Sequence, residues 1–554
     1  MKRWRSYFVF CLIIILGGIV AGKLFFFQVL RYEEYRAFAQ GQHKLYTTLK
    51  GARGEIFFQT GEIMGTNVKE VSVFVSPHKM ENREQTAEQL SRIIGLEKNE
   101  IAEKIEEEDS YTEIAAGITK EAKELLEKEE LSGVYLNTFM SRRYPQEGLA
   151  AHVAGFFGGE GAGQYGIEGY YDDILEGRES FYENGGSFSL QQDFSRGSDI
   201  HLTLDYNIQF MAEKLLEEAR EDLNIEGGTI IVMNPHSGKI MALANVPGYN
   251  PNDYSEYEDY DLFQNSATQK LFEPGSIFKP ITMASALDAG KITPQTTYVD
   301  EGIIEIGGRT VYNYDQRVYG KKTMTEVLEN SINTGAVFAE RVLGHANFLE
   351  YIERFGFFEP TSIDLQGEEF SENKEFKKGY EINFATASFG QGIEITPIQM
   401  IRAFSAIANG GKLVKPRLVS YFAEGGKKKE IEGESPRQVV SSKTASQLTA
   451  MLVSVVENGF AKKAKVPGYY VAGKTGTAQI SWSSLGINKK GYSGKTWQSF
   501  IGFAPAFDPK FVILVKLDNP ESKTAEYSAV PLFQKLAKYI INYLEIPTDY
   551  QSEG

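Results

Sequence analysis

Three short runs, far apart in the chain, pair a hydroxyl with an amine or an amide: Ser276-x-x-Lys279, Ser331-Ile332-Asn333 and Lys474-Thr475-Gly476-Thr477. A serine hydroxyl is a poor nucleophile until a neighbouring base takes its proton. Three residues apart on a helix, Ser276 and Lys279 share a face. Lys279 can act as that base only where burial and a second nearby cation favour its neutral form. The chemistry on offer is nucleophilic catalysis without histidine.

Each pattern is cheap by itself. Ser-x-x-Lys also occurs at Ser76–Lys79 and Ser371–Lys374, and Ser371-Glu372-Asn373 repeats the second motif. Context separates them. Pro77 interrupts one copy and another lies in a charged stretch, whereas Glu273-Pro274-Gly275-Ser276-Ile277-Phe278-Lys279-Pro280 opens the apolar run Ile281–Ala289, which ends at Gly290. That predicts a buried helix with Ser276 at its start, where Pro280 is tolerated because first-turn N–H groups lack intrahelical partners. The bland alternative is an N-cap serine beside a surface lysine. The third run carries a sharper rival, since Gly468 to Thr475 satisfies the phosphate-loop pattern and Phe511–Asp518 resembles its companion strand. Such a loop must open a helix whose N-terminus holds phosphate, and Thr477–Trp482 continues as strand-like sequence.

The elements around these motifs are legible in outline. Thr323-Met324-Thr325-Glu326 reads as a capping box and Thr334–Leu343 as a helix ending at Gly344, so Ser331 lies in the turn between two helices. Gly228–Met233 and Lys239–Asn245 are β-rich runs joined by a turn at 234–238. Tyr470–Ile480, Gln498–Ala504 and Phe511–Leu517 read as strands, followed by an amphipathic helix from Ala529 to Leu544. Strands at both ends with helices between predict one antiparallel sheet built from the two termini of a domain, with a helical insertion. Upstream, Thr86–Leu96, Glu100–Glu108 and Lys120–Glu130 have helical spacing and Thr112–Ala116 reads as a strand, giving a small α/β module between residues 31 and 197.

Composition bounds the rest. The 554 residues suffice for about three domains. With 58 Lys plus Arg against 74 Asp plus Glu, the net charge of −16 disfavours a nucleic-acid partner. Half of that excess lies between Glu97 and Glu130, away from the motifs. One cysteine, Cys11, and six scattered histidines give no expectation of a disulfide, a metal or a cofactor. Lys2, Arg3 and Arg5 precede a largely apolar stretch over residues 7–30 whose one charge is Lys23, which predicts a single transmembrane anchor with residues 1–6 inside and the remainder outside the cytoplasm.

In order, the three motifs resemble the active-site signature of penicillin-binding proteins and serine β-lactamases. Arg53-Gly54-x-Ile56, Arg143-x-Pro145 and Gly163-x-x-Gly166-x-Glu168, with Gly390-Gln391-Gly392, Thr396-Pro397 and Gln399, narrow the resemblance to class B penicillin-binding proteins across nearly the whole chain. Phe57-Phe58-Gln59-Thr60-Gly61 departs from the family's usual turn. The resemblance implies a multidomain α/β chain: anchor 7–30, α+β pedestal 31–197, transpeptidase domain 198–546 and tail 547–554. By it, Ser276 attacks the bond between two D-alanines of a peptidoglycan stem peptide and Lys279 accepts its proton. Ser331 relays the proton, Asn333 holds the stem, and Lys474 with Thr475 binds the terminal carboxylate. Gly476 permits close approach, and the Ser276 and Thr477 N–H groups form the oxyanion hole. The implied partners are stem peptides, β-lactams as covalent inhibitors, a membrane-embedded glycan polymerase and division proteins. Tyr470–Gln479, Phe355–Leu365 and Ser499–Pro505 look more like septal enzymes than elongation enzymes. A β-lactam sensor or hydrolase is the alternative within the wider fold.

Overall fold

The computed structural model describes residues 17, 46–50, 52–107, 112–159, 161–177, 179–183 and 196–551. The predicted anchor and Cys11 lie outside the described residues apart from Gly17. Among the described residues no helix is long and apolar enough to cross a membrane. The chain divides into two compact units, one taking in residues up to Arg53 with Glu176–Gly197, the other Gly54–Leu175 with Ser198 onward. The described part of the first includes an antiparallel pair, Tyr46–Lys50 with Glu179–Glu183.

In the larger unit, β1 (Ile56–Phe57) and β2 (Ile63–Val75) form a hairpin, and β2 also pairs with β3 (Thr112–Ala115) and with β4 (Val134–Arg143). Three helices cover this sheet where the apolar spacing predicted them, at Arg83–Ile94, Lys98–Glu107 and Lys120–Glu129. Their starts and stops follow side-chain chemistry. Asn82 and Thr119 accept hydrogen bonds from the Gln85 and Ala122 N–H groups, and Gly95 ends the first helix in the left-handed conformation. Val73, Leu90, Ile101, Ile105 and Ile114 form the small core between helices and sheet. The 13-residue β2 and its partner β4 have no expectation in the sequence pattern.

Strand β5 (Asp199–Leu202) extends the same sheet, pairing in parallel with β1 and antiparallel with Val419–Glu424. After it comes α1 (Tyr206–Leu223), whose N-cap Asp205 accepts from two backbone N–H groups. Strands β6 (Gly227–Met233) and β7 (Ile240–Val246) then form the predicted hairpin. The sheet they begin is completed from the other end of the chain by β8 (Ala472–Ser481), β9 (Tyr492–Ala504) and β10 (Phe511–Asp518), in the spatial order β7-β6-β10-β9-β8 and antiparallel throughout. This is the two-ended sheet the sequence predicts. Every residue of β6 is buried, as are the first seven of β10, because these strands are covered on both faces. Strand β8 is an edge, so one side of its backbone has no strand neighbour in this sheet.

The helical insertion supplies α2 (Lys279–Asp288), α3 (Met324–Glu329), α4 (Asn333–Leu343), α5 (Pro397–Ala408) and α6 (Ser442–Asn458). Helices α2 and α5 are buried almost completely, and α7 (Ala529–Tyr543) packs its apolar side on β9 and β10. Two small hairpins, Thr297–Asp300 with Gly320–Thr323 and Ile303–Ile306 with Arg309–Tyr312, interrupt the insertion.

Candidate active site

Ser276 lies in the 3-10 turn Gly275–Phe278 that leads into α2 with Pro280 in the first helical turn, as predicted. The turn is held from two sides. Gly390 has φ +81°, and its carbonyl accepts from the Gly275 N–H at 2.9 Å; a Cβ at Gly390 would sit 2.1 Å from the Gly275 oxygen. On the other side β8 passes so close that a Cβ on Gly476 would be 2.5 Å from Ser499 Oγ and 3.1 Å from the Pro274 oxygen. Gly476 thus brings β8 against the Ser276 turn, an approach within the protein rather than to a ligand alone.

The three motifs converge on Ser331. Lys279 Nζ donates to the Ser331 carbonyl at 2.6 Å, lies 3.2 Å from Ser331 Oγ, and donates to Asn333 Oδ1 at 2.8 Å. From the opposite side Lys474 Nζ reaches Ser331 Oγ at 2.9 Å and the Thr475 carbonyl at 3.0 Å. The hydroxyl of Ser331 therefore bridges two amines. It can do so because Ser331 takes a left-handed conformation, φ +53°, in the predicted turn after α3, whose Thr323–Glu326 capping box is present. Both lysines are buried, 0% and 1% exposed. Burial, then the neighbouring charge of Lys474, drives the Lys279 amine well below the ordinary lysine range, and burial brings Lys474 down to about 7. The same-face spacing of Ser276 and Lys279 holds, yet the hydrogen bonds of Lys279 run to Ser331 and Asn333 rather than to Ser276.

A supporting layer has no motif to announce it. Asn313 Oδ1 accepts from the Asn333 and Thr334 N–H groups at 3.0 and 3.1 Å, fixing the first turn of α4. Asn313 Nδ2 and Thr334 Oγ1 in turn donate to the buried carboxylate of Asp300. Asn333 Nδ2 donates to the Tyr312 carbonyl at 2.9 Å. The two hairpins of the insertion are thus the platform for Ser331-x-Asn333. Glu273, three residues before Ser276, accepts from Tyr492 Oη at 3.2 and 3.0 Å, tying the approach to the Ser276 turn to β9.

The competing motifs separate on structure. The glycine–lysine run Gly468–Thr475 enters strand β8 and no helix follows it, so it cannot cradle phosphate and the nucleotide-hydrolase alternative fails. Lys79 faces the Tyr135 ring, and Ser371 Oγ accepts from the backbone N–H of the buried Asn373, closing a local turn. Among the upstream motifs, the buried ion pair belongs to Arg142, not to the Arg143 that the sequence singled out. Arg142 Nε meets Glu168 at 2.7 Å and its Nη1 donates to the Gly54 carbonyl at 2.7 Å, joining the first and third upstream motifs from a position next to the second. The capping box of Thr396 with Gln399 starts α5.

Similarity to known proteins follows the same layout. The penicillin binding protein transpeptidase domain matches residues 228–538, and the penicillin-binding protein dimerisation domain matches residues 48–185. Stage V sporulation protein D of Bacillus subtilis is 32% identical over 94% of this chain and 82% of its own length. A probable peptidoglycan D,D-transpeptidase of Pseudomonas aeruginosa is 28% identical over 99% and 96%. Penicillin-binding protein 3 of Mycobacterium tuberculosis, solved with aztreonam, superposes with a TM-score of 0.71 at 25% identity, covering 91% of this chain and 99% of that one. With both domain matches and the meeting of Lys279, Ser331 and Lys474 in hand, the chain belongs to the class B penicillin-binding proteins, the serine D,D-transpeptidases of peptidoglycan synthesis.

Proposed function

We propose that this transpeptidase works through Ser276, and the observation that carries the reading is the meeting of both buried lysines at Ser331 Oγ. Ser276 Oγ attacks the carbonyl carbon between the last two D-alanines of a stem peptide, and its proton passes to the neutral amine of Lys279. The oxyanion is held by the Ser276 and Thr477 N–H groups, the contribution that usually weighs most in acyl transfer. As the C–N bond breaks, the proton moves from Lys279 through Ser331 Oγ to the departing nitrogen, releasing D-alanine and leaving an ester on Ser276. The amine of a second stem then attacks that ester, its proton returns along the same path, and a cross-link replaces the original bond. Lys474, protonated, and Thr475 hold the terminal carboxylate, while Asn333 orients Lys279 and offers its amide to the stem. The stem lies antiparallel along the free edge of β8, adding a strand to the sheet. β-Lactams occupy the same place and leave a stable acyl-enzyme.

The wider setting rests on the sequence. Residues 7–30 anchor the chain, with residues 1–6 in the cytoplasm and the pedestal 31–197, the catalytic domain 198–546 and the tail 547–554 outside. The chain acts in septal rather than lateral wall synthesis, beside a glycan polymerase and division proteins, as its resemblance to septal enzymes suggests. Release of D-alanine from a pentapeptide with an acceptor amine tests the chemistry: Ser276→Ala abolishes it, and turnover surviving that change contradicts the reading. Depletion in cells tests the setting, giving filaments with blocked septa; rounded cells with normal septa would favour the elongation role.

A further inference from the structure

The proposed register gives the substrate a direction along β8. With the terminal carboxylate at Thr475 and the scissile carbonyl at the Thr477 N–H, the preceding stem residues run toward Gln479 and Ser481. Thr475, Thr477, Gln479 and Ser481 alternate with the buried residues 474, 476, 478 and 480, so they share one face. Each stem residue advances about 3.3 Å along the strand. The third stem residue, one before the acylated D-alanine, then lies opposite Gln479, and its side chain extends past Ser481.

At that end the structure has an open, solvent-exposed cavity of about 420 Å³, lined by Ser481, Ser483, Asn488, Lys489, Lys490 and Tyr492 among others. The loop that forms it is folded on itself: the Trp482 N–H donates to the Gly491 carbonyl at 3.0 Å and the Ile487 N–H to the Trp482 carbonyl at 2.9 Å. Lys489 Nζ lies 4.3 Å from the centre of the Trp482 ring. Ser481 Oγ lies 2.8 Å from Ser483 Oγ and 2.7 Å from Ser484 Oγ. Among the described residues neither Lys489 nor Lys490 is paired with a carboxylate. The acidic groups on the Tyr492 side are Glu273, which Tyr492 Oη binds, and Glu394 beyond it. Burial pushes Glu273 up to about 7, so near neutral pH it offsets the lysines only in part.

We infer that this cavity is the subsite for the third residue of the stem peptide and that it selects a side chain ending in a carboxylate, as in diaminopimelate, over one ending in an amine alone, as in lysine. A lysine side chain brings an unbalanced positive charge against Lys489 and Lys490. Diaminopimelate brings a carboxylate for those cations, and its amine finds acceptors in the serine hydroxyls and the Asn488 amide. The loop also reaches the residues just before the Ser276 turn through the Tyr492–Glu273 hydrogen bonds, so occupancy and acylation are linked through that contact.

This assignment rests on the substrate register proposed above, and the test separates the two. D-Alanine release is measured with the full-length protein in detergent, an excess of a D-amino acid as acceptor, and two pentapeptides that differ only in carrying diaminopimelate or lysine at the third position. Wild type favours the diaminopimelate peptide in kcat/KM by about two- to fivefold, the scale of one exposed ion pair. Lys490→Glu brings the ratio to one or below, and Lys489→Gln lowers it. A wild-type ratio of one overturns the subsite while Ser276→Ala still abolishes both reactions. Equal losses on both peptides in the variants overturn it as well, because they indicate a purely structural loop. Turnover that survives Ser276→Ala overturns the register and the subsite together.

Discussion

Removing the charge of Lys474 should change the pH at which the enzyme acylates, not only how fast. In the proposed mechanism Lys279 must be neutral to accept the Ser276 proton, so the acylation rate falls on the acid side as Lys279 takes up a proton. Both Nζ atoms contact Ser331 Oγ, at 3.2 and 2.9 Å, which places the two nitrogens at most about 6 Å apart. Two unit charges at ~6 Å in a protein-like medium of effective dielectric ~20 repel by about 2.8 kcal/mol. That equals about two pH units. Lys474→Gln removes this repulsion, the protonated form of Lys279 becomes easier to form, and its pKa rises. The acid limb of the acylation rate constant, measured with a fluorescent penicillin between pH 4 and 9, therefore moves to higher pH by about two units. Weaker binding of the penicillin carboxylate lowers the plateau without moving the limb. An acid limb that stays in place, or moves to lower pH, would refute the view that Lys474 keeps Lys279 neutral.

Gly390→Ala places a Cβ 2.1 Å from the Gly275 oxygen at a backbone φ of +81°, so the nucleophile turn must shift. Displacement of about 1 Å costs on the order of a hundredfold in rate, and penicillin acylation within twofold of wild type would contradict this role for the turn. His152 is buried, lies 3.0 Å from the Leu262 carbonyl through Nε2, and is lowered by burial to about 4. Between the ordinary histidine value of 6.5 and about 4, the unfolded chain binds a proton that the folded chain refuses, so stability falls as pH falls through that window, by about 3 kcal/mol. His152→Gln flattens the pH dependence of Tm there relative to wild type; an unchanged slope would show that His152 titrates normally.

The catalytic motifs are readable because their chemistry is local in sequence. A buried apolar run after Ser276, a capping box before Ser331 and strand-like sequence through Lys474 each narrow the context of a cheap pattern. The covered strands β6 and β10 are equally plain, being largely apolar runs broken only by residues such as Thr229 and Lys516. What escapes notice depends on distance along the chain. Strands β2 and β4 pair across some 58 residues, and β2 is buried unevenly rather than in strict alternation, so no period marks it. Asp300, Asn313 and Thr334 look like ordinary turn and cap residues, and only folding brings them together beneath Asn333. The choice of Arg142 over Arg143 is a matter of which side of β4 faces Glu168. The hydrogen bonds of Lys279 are the instructive case. Helical spacing places it beside Ser276, but its bonding partners come from a turn more than fifty residues away.

The most direct measurement is the location of the acyl group. The protein is incubated with a penicillin, digested, and the adduct-bearing peptide sequenced by mass spectrometry. The account predicts one penicilloyl group, on the peptide that contains Ser276 and on that hydroxyl. An adduct on Ser331, or full adduct formation in Ser276→Ala, would contradict it.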